Sequence, residues 1–137
     1  MDKIKRPADL SHLEDFLSFI IDFAKAHKMK EAVLTELQLA VEEAIVNIIS
    51  YAYPEKKGDI LVECSLTPSG DVFVKLTDWG IPFDPNEKRS PDFDVPMCER
   101  GKGGLGIFLT RSFADELTYV RGKEKNELTI VKYLGSS

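Results

Sequence analysis

The sequence predicts an α+β domain built as a two-layer sandwich, a mixed and mostly antiparallel sheet covered on one face by helices. Three observations lead there. Apolar residues recur at helical spacing between Ser11 and Tyr51. Beyond Gly58 they alternate at period two, in two pairs of runs with polar turns between them. The resulting order is helix, helix, hairpin, long loop, helix, hairpin, and it suits an antiparallel sheet with helices gathered on one side.

The first helix spans about Ser11 to His27. Ser11 and Glu14 fit a capping box, and Leu13, Phe16, Leu17, Ile20, Ile21 and Phe23–Ala24 form the apolar stripe behind it. The second runs from about Lys30 to Tyr51, with Val33, Leu34, Leu37, Ala40, Val41, Ala44, Ile45 and Ile48 as its apolar positions. Pro54 and Gly58 end it and open a turn. Ile60, Val62, Cys64 and Leu66 then alternate with more polar residues, Pro68-Ser69-Gly70-Asp71 makes a turn, and Val72, Val74 and Leu76 alternate on the far side. That is a hairpin, so these strands are antiparallel neighbours. From Asp78 to Gly104 periodicity disappears, and a loop of that length in a compact domain is usually functional or mobile. A short helix is expected from Leu105 to about Ala114, then strands at about Leu117–Arg121 and Glu127–Tyr133.

Composition narrows the function classes. A chain of 137 residues is the size of one domain, so a single domain over 1–137 is expected. With 23 acidic against 18 basic residues and no Lys/Arg-rich stripe, a nucleic-acid partner is not expected. A polyanion would have to be held by local features, such as backbone amides and a metal ion, because the overall field repels it. Cys64 and Cys98 lie far apart and His12 and His27 are the only histidines, which argues against zinc. Cys64 alternates with Val62 and Leu66 and reads as core. No stretch approaches the ~18 apolar residues of a membrane span, and Met1 to Leu10 lacks an apolar signal core. No membrane association and a cytoplasmic address are expected, with free thiols.

Three places could carry chemistry. Glu43 and Asn47 stand four apart on the second helix and share a face. Asn is a poor helix former and needs a reason to be there. Either Asn47 offers its amide oxygen to a metal while Glu43 accepts a proton, or the two belong to a solvated polar face. Asp78-Trp79-Gly80-Ile81-Pro82-Phe83-Asp84 follows directly on a strand. Asp78 there can accept from an exocyclic amine such as that of adenine, and Gly80 lets backbone approach a flat ring. The alternative is a plain turn. Trp79 either packs on a ligand or packs at the strand end. Gly101-Lys102-Gly103-Gly104-Leu105-Gly106 opens the third helix, where free amides and a partial positive charge suit phosphate. The same string satisfies G-x-G-x-x-G, but no buried parallel strand precedes it, so a dinucleotide fingerprint is rejected. A structural glycine hinge remains open.

In order and spacing these pieces resemble the GHKL (Bergerat-fold) ATPase and kinase superfamily. Glu42-Glu43-Ala44-Ile45-Val46-Asn47 is similar to its N box, Asp78-x-Gly80 to its G1 box, and Gly101-Lys102-Gly103-Gly104-Leu105-Gly106 to its G2 box. The likeness covers about residues 35–133. The short chain, Pro82-Phe83-Asp84-Pro85 and Gly103-Gly104-Leu105-Gly106-Ile107 look most like the anti-sigma factor serine kinases of the RsbW and SpoIIAB type. Two departures stand out: Pro82 replaces the second glycine of a strict G1 box, and Tyr51 replaces a histidine often found one turn after the N-box Asn.

The resemblance implies ATP and Mg²⁺ as cofactors and a role for each matching residue. Asn47 would coordinate Mg²⁺, Asp78 would take the adenine amine, and Gly80 would give the base room. Gly103, Gly104 and Gly106, with Leu105 between them, would line the phosphates. Arg100 or Lys102 would neutralise the terminal phosphate, residues 85–100 would form a lid, and Thr129 would lie near the adenine. Glu43 would be general base on a serine of a STAS-domain anti-sigma factor antagonist, and a sigma factor and a homodimer would be the other partners. The alternative is an ATP-gated binding module without kinase activity, since nucleotide binding needs no base.

Overall fold

The computed structural model describes residues 2–82 and 110–134. Five strands form one sheet in the order β1-β2-β3-β5-β4, and its four pairings are all antiparallel. The strands are β1 (Asp2–Pro7), β2 (Asp59–Leu66), β3 (Val72–Asp78), β4 (Glu116–Gly122) and β5 (Lys125–Lys132). Helices α1 (Leu13–Ala26) and α2 (Glu31–Tyr51) cover one face. Residues 110–113 are helical and agree with the end of the expected third helix. The rest of that helix and of the long loop, residues 83–109, lie outside the described residues.

Period-two patterning and helical stripes meet in one core. Phe16 and Ile20 of α1 and Leu37, Val41 and Ile45 of α2 are fully buried against Ile60, Val62, Val74, Leu76 and Ile130 of the sheet. Each such side chain contributes roughly 1.5–3 kcal/mol by leaving water. Cys64 is in this core, and burial pushes its thiol up to about 12, so it is a packing residue. The β2–β3 turn closes with Gly70 N–H on the Thr67 carbonyl at 2.8 Å, and Gly70 sits at φ 90, where a side chain would be strained.

Two features differ from expectation. Strand β1 is one: its DKIKRP sequence shows no alternation, yet it pairs with β2 from Asp2↔Cys64 to Pro7↔Asp59. The start of α1 is the other. Ser11 does not cap it; instead Asp9 Oδ1 accepts from the Ser11 N–H at 2.9 Å and starts a 3₁₀ turn, Leu10–His12, ahead of the helix. Asp is as good an N-cap residue as Ser, and standing two residues earlier it moves the helical start upstream.

Candidate functional site

Helix α2 and the adjoining parts of β3, β4 and β5 line a cleft. Ala44, Asn47, Ile48, Tyr51, Asp78 and Asn126 are among its walls. Asn47 and Asp78, read from separate motifs, are therefore brought together. Asn47 is 5% exposed, so it is no member of a solvated face. Its Oδ1 is buried and has no hydrogen-bond partner among the described residues. An unpaired buried carbonyl costs free energy, roughly 1–3 kcal/mol, and calls for an occupant. A hard cation of the Mg²⁺ type takes amide oxygens as ligands, so the donor fits.

Asp78 ends β3 and is 3% exposed. Its Oδ1 accepts from the Gly80 N–H and from Asn126 Nδ2, each at 2.9 Å. No described residue engages Oδ2. Burial raises the Asp78 pKa, against the opposing pull of the Asn126 and Gly80 hydrogen bonds and of the Arg121 charge. Tyr53 fixes the neighbouring backbone: its hydroxyl donates to the Asp59 carbonyl at 2.6 Å and accepts from the Trp79 N–H at 2.8 Å. Trp79 itself is half-exposed and carries the Lys5 ammonium 5.0 Å above its ring, so among the described residues its partner is β1.

Gly80 needs to be glycine for a reason the motif alone does not give. A Cβ there would lie 2.1 Å from the Ala52 carbonyl oxygen, and the Ile81 N–H donates to that same oxygen at 2.9 Å. The close approach is to the C-terminal end of α2, which locks the cleft's two walls together.

Thr129 requires a correction. Asn126 and Leu128 of β5 face the cleft, so alternation turns Thr129 to the opposite face, in the row Lys75↔Thr129↔Thr118. Its neighbours there include Phe73, Val131 and Tyr133. The residue that stands beside Asp78 is Asn126, its direct register partner. The sequence reading missed it; its parity with Leu128 and Ile130 was the available signal. Glu43 is one turn before Asn47 on α2, partly buried, and is not among the cleft-lining residues. Thr110, also missed, lines the cleft and ties the third helix to α2 by donating to the Ala40 carbonyl at 2.8 Å. Arg100, Lys102, Gly103, Gly104, Leu105 and Gly106, and the expected lid, lie outside the described residues.

The family model described as histidine kinase-like ATPase domain matches residues 6–132. Among curated relatives, a serine-protein kinase RsbW of Bacillus cereus is 27% identical over 105 residues, covering 74% of this chain and 64% of its own length. An anti-sigma F factor of Clostridium acetobutylicum is 25% identical over 99 residues, covering 72% of this chain and 68% of its own. The chain thus spans just under two thirds of the RsbW relatives it matches. Among solved structures, the RsbU and RsbW domains of a Mycobacterium tuberculosis protein superpose with a TM-score of 0.65 at 14% identity, over 97% of this chain and 32% of theirs. The histidine kinase domain of an Erythrobacter litoralis blue-light activated kinase gives 0.57 at 19% identity, over 90% and 60%.

Proposed function

Because the chain belongs to the histidine kinase-like ATPase domain family, we propose that it is an ATP-dependent serine/threonine protein kinase and anti-sigma factor. Its acceptor would be a serine of a STAS-domain anti-sigma factor antagonist, and it would also sequester a sigma factor. The observation that carries this reading is the shared cleft of Asn47 and Asp78, in which a buried amide oxygen and a carboxylate oxygen both lack described partners. Relatives described as a serine-protein kinase and an anti-sigma factor support it.

Mg-ATP bound there supplies the transferable phosphoryl group and the metal charge that eases its departure. Asn47 would hold the metal through Oδ1. Asp78 accepts a hydrogen bond from the adenine amine. On the sequence reading, Gly103, Gly104, Leu105 and Gly106 cradle the phosphates and Arg100 or Lys102 screens the last of them. Glu43 takes the proton of the acceptor hydroxyl as that oxygen bonds to phosphorus and ADP leaves. In this reading the protein would work as a homodimer in the cytoplasm, without nucleic acid or membrane. No described helix is long and apolar enough to cross a membrane.

Transfer of label from γ-labelled ATP with Mg²⁺ to a STAS-domain protein from the same genome tests this, alongside Glu43→Gln. The variant is expected to lose about 10²- to 10⁴-fold in transfer rate, the usual contribution of a general base, while still binding ATP. Wild-type transfer by the variant rejects the base. The position of Glu43 outside the cleft wall favours a second reading, an ATP-gated binding module; ATP binding by the wild type without any label on the acceptor would establish it.

A further inference from the structure

Asn126 is 4% exposed and its amide is fully engaged. One N–H goes to Asp78 Oδ1 at 2.9 Å and the other to the Ile81 carbonyl at 2.7 Å. The amide oxygen accepts from the Tyr119 hydroxyl and from Arg121 Nη1, the latter at 3.3 Å. Two donors and two lone pairs are thereby used, the whole capacity of an Asn side chain. The orientation is also determined. The Ile81 carbonyl can only accept and Arg121 can only donate, so a flipped amide would face both with the wrong group.

This arrangement leaves Asn126 no spare polar atom to offer a ligand, although it lines the cleft, and gives it one evident task. Together with the Gly80 N–H it places two donors on the same oxygen of Asp78. Rotating the carboxylate would break both bonds, so Oδ2 is held toward the cleft that Asp78 lines. An ionised carboxylate oxygen accepts and never donates. It pairs with the exocyclic amine of a 6-aminopurine and repels the carbonyl oxygen of a 6-oxopurine. Arg121 braces the same corner from β4, its Nη1 donating to the Gly80 carbonyl at 2.8 Å.

We infer that Asn126 is the positioning residue that sets purine selectivity, by aiming Asp78 so that the cleft accepts 6-aminopurine nucleotides and refuses 6-oxopurine ones. The inference rests on the nucleotide reading above and adds a residue and a selectivity to it. Its test uses ATP and inosine triphosphate, which differ only at the C6 substituent, amine against oxo, and in the proton that N1 carries in inosine. Dissociation constants for both, with Mg²⁺, are measured by calorimetric titration on the wild type, Asn126→Ala and Asn126→Thr. The wild type is expected to prefer ATP by about tenfold or more, the worth of one hydrogen bond to a charged group. In Asn126→Ala that ratio should fall to about threefold or less as the aimed hydrogen bond weakens. Asn126→Thr, whose hydroxyl can donate to Asp78, should recover part of it.

A merely structural Asn126 would weaken both nucleotides alike and leave the ratio unchanged, and that result overturns the inference while the nucleotide reading stands. Equal wild-type affinities for the two nucleotides overturn it as well. No binding of either by the wild type overturns the nucleotide reading and this inference with it. If Asn126→Ala does not fold, as judged by circular dichroism, the threonine variant decides: a ratio reduced below the wild type's supports the role, and equal weakening of both nucleotides, which keeps the wild-type ratio, rejects it.

Discussion

Asp78 is held in a place that does not favour its charge. Burial raises its pKa from 3.8, and the hydrogen bonds from Asn126 and Gly80 and the charge of Arg121 offset this in part. A carboxyl whose pKa is higher folded than unfolded binds its proton more tightly in the fold. Stability is then lost as pH rises from about 3.8 through the folded value, and the full penalty applies above it. Asp78→Asn keeps an oxygen for the Gly80 and Asn126 donors and carries no charge. Without ligand it should be more stable than the wild type at neutral pH, with the difference shrinking as pH falls and vanishing below 3.8. Urea unfolding across that pH range measures it, and a wild type more stable than the variant at neutral pH would contradict it. If Asp78 recognises the nucleotide as proposed, the same variant should also lose nucleotide affinity, as expected of a group kept at some expense in stability.

At the scale of elements, patterning revealed whatever is half-buried and hid whatever is not. Helices α1 and α2 and the β2–β3 hairpin each present an apolar stripe or an alternation to the core, and each was legible to within a residue or two. Strand β1 was not, because its burial is nearly uniform and outward: of its six residues only Ile4 is partly covered. Its formation depends on the unpaired edge of β2, a tertiary partner 52 or more residues away that no local pattern reports. What it does for the fold follows from the same fact. Strand β2 carries Ile60, Val62 and Cys64 into the core, and with β1 removed it becomes an exposed sheet edge. Charged Lys3, Lys5 and Arg6 together with Pro7 make β1 a protective edge. Deleting residues 1–8 is expected to leave helical content largely intact but to cause concentration-dependent association. Static light scattering on the truncated chain checks this, and a monodisperse species of unchanged size would show that β2 needs no cover.

At the scale of the whole molecule, the cleft is where two layers and three strand ends meet, and this decided what the sequence disclosed of it. Asn47 and Asp78 each sit in a local motif, so each was found where it stands. Asn126 belongs to the site through the Asp78↔Asn126 register, and reading that requires knowing that β5 lies between β3 and β4. Thr129, assigned by likeness instead, fell on the wrong face because strand parity is fixed by which alternate residues reach the core. The same geometry predicts how ligand binding reports on the fold. Asn47 belongs to the helical layer and Asp78 to the sheet, so a ligand bridging them binds the native state alone and adds RT ln(1 + [L]/Kd) to its stability. At a hundredfold excess over Kd that is about 2.7 kcal/mol, a rise of roughly 8–12 °C in the unfolding midpoint for a domain of this size. Chelating the magnesium should remove much of the rise. Asn47→Ala should lose the magnesium-dependent part, while its midpoint without nucleotide stays close to the wild type's, since the substitution also deletes an unpartnered buried oxygen. Scanning calorimetry of both proteins with ATP, with and without Mg²⁺, separates these contributions. A magnesium-dependent rise of the same size in both would place the metal elsewhere than Asn47.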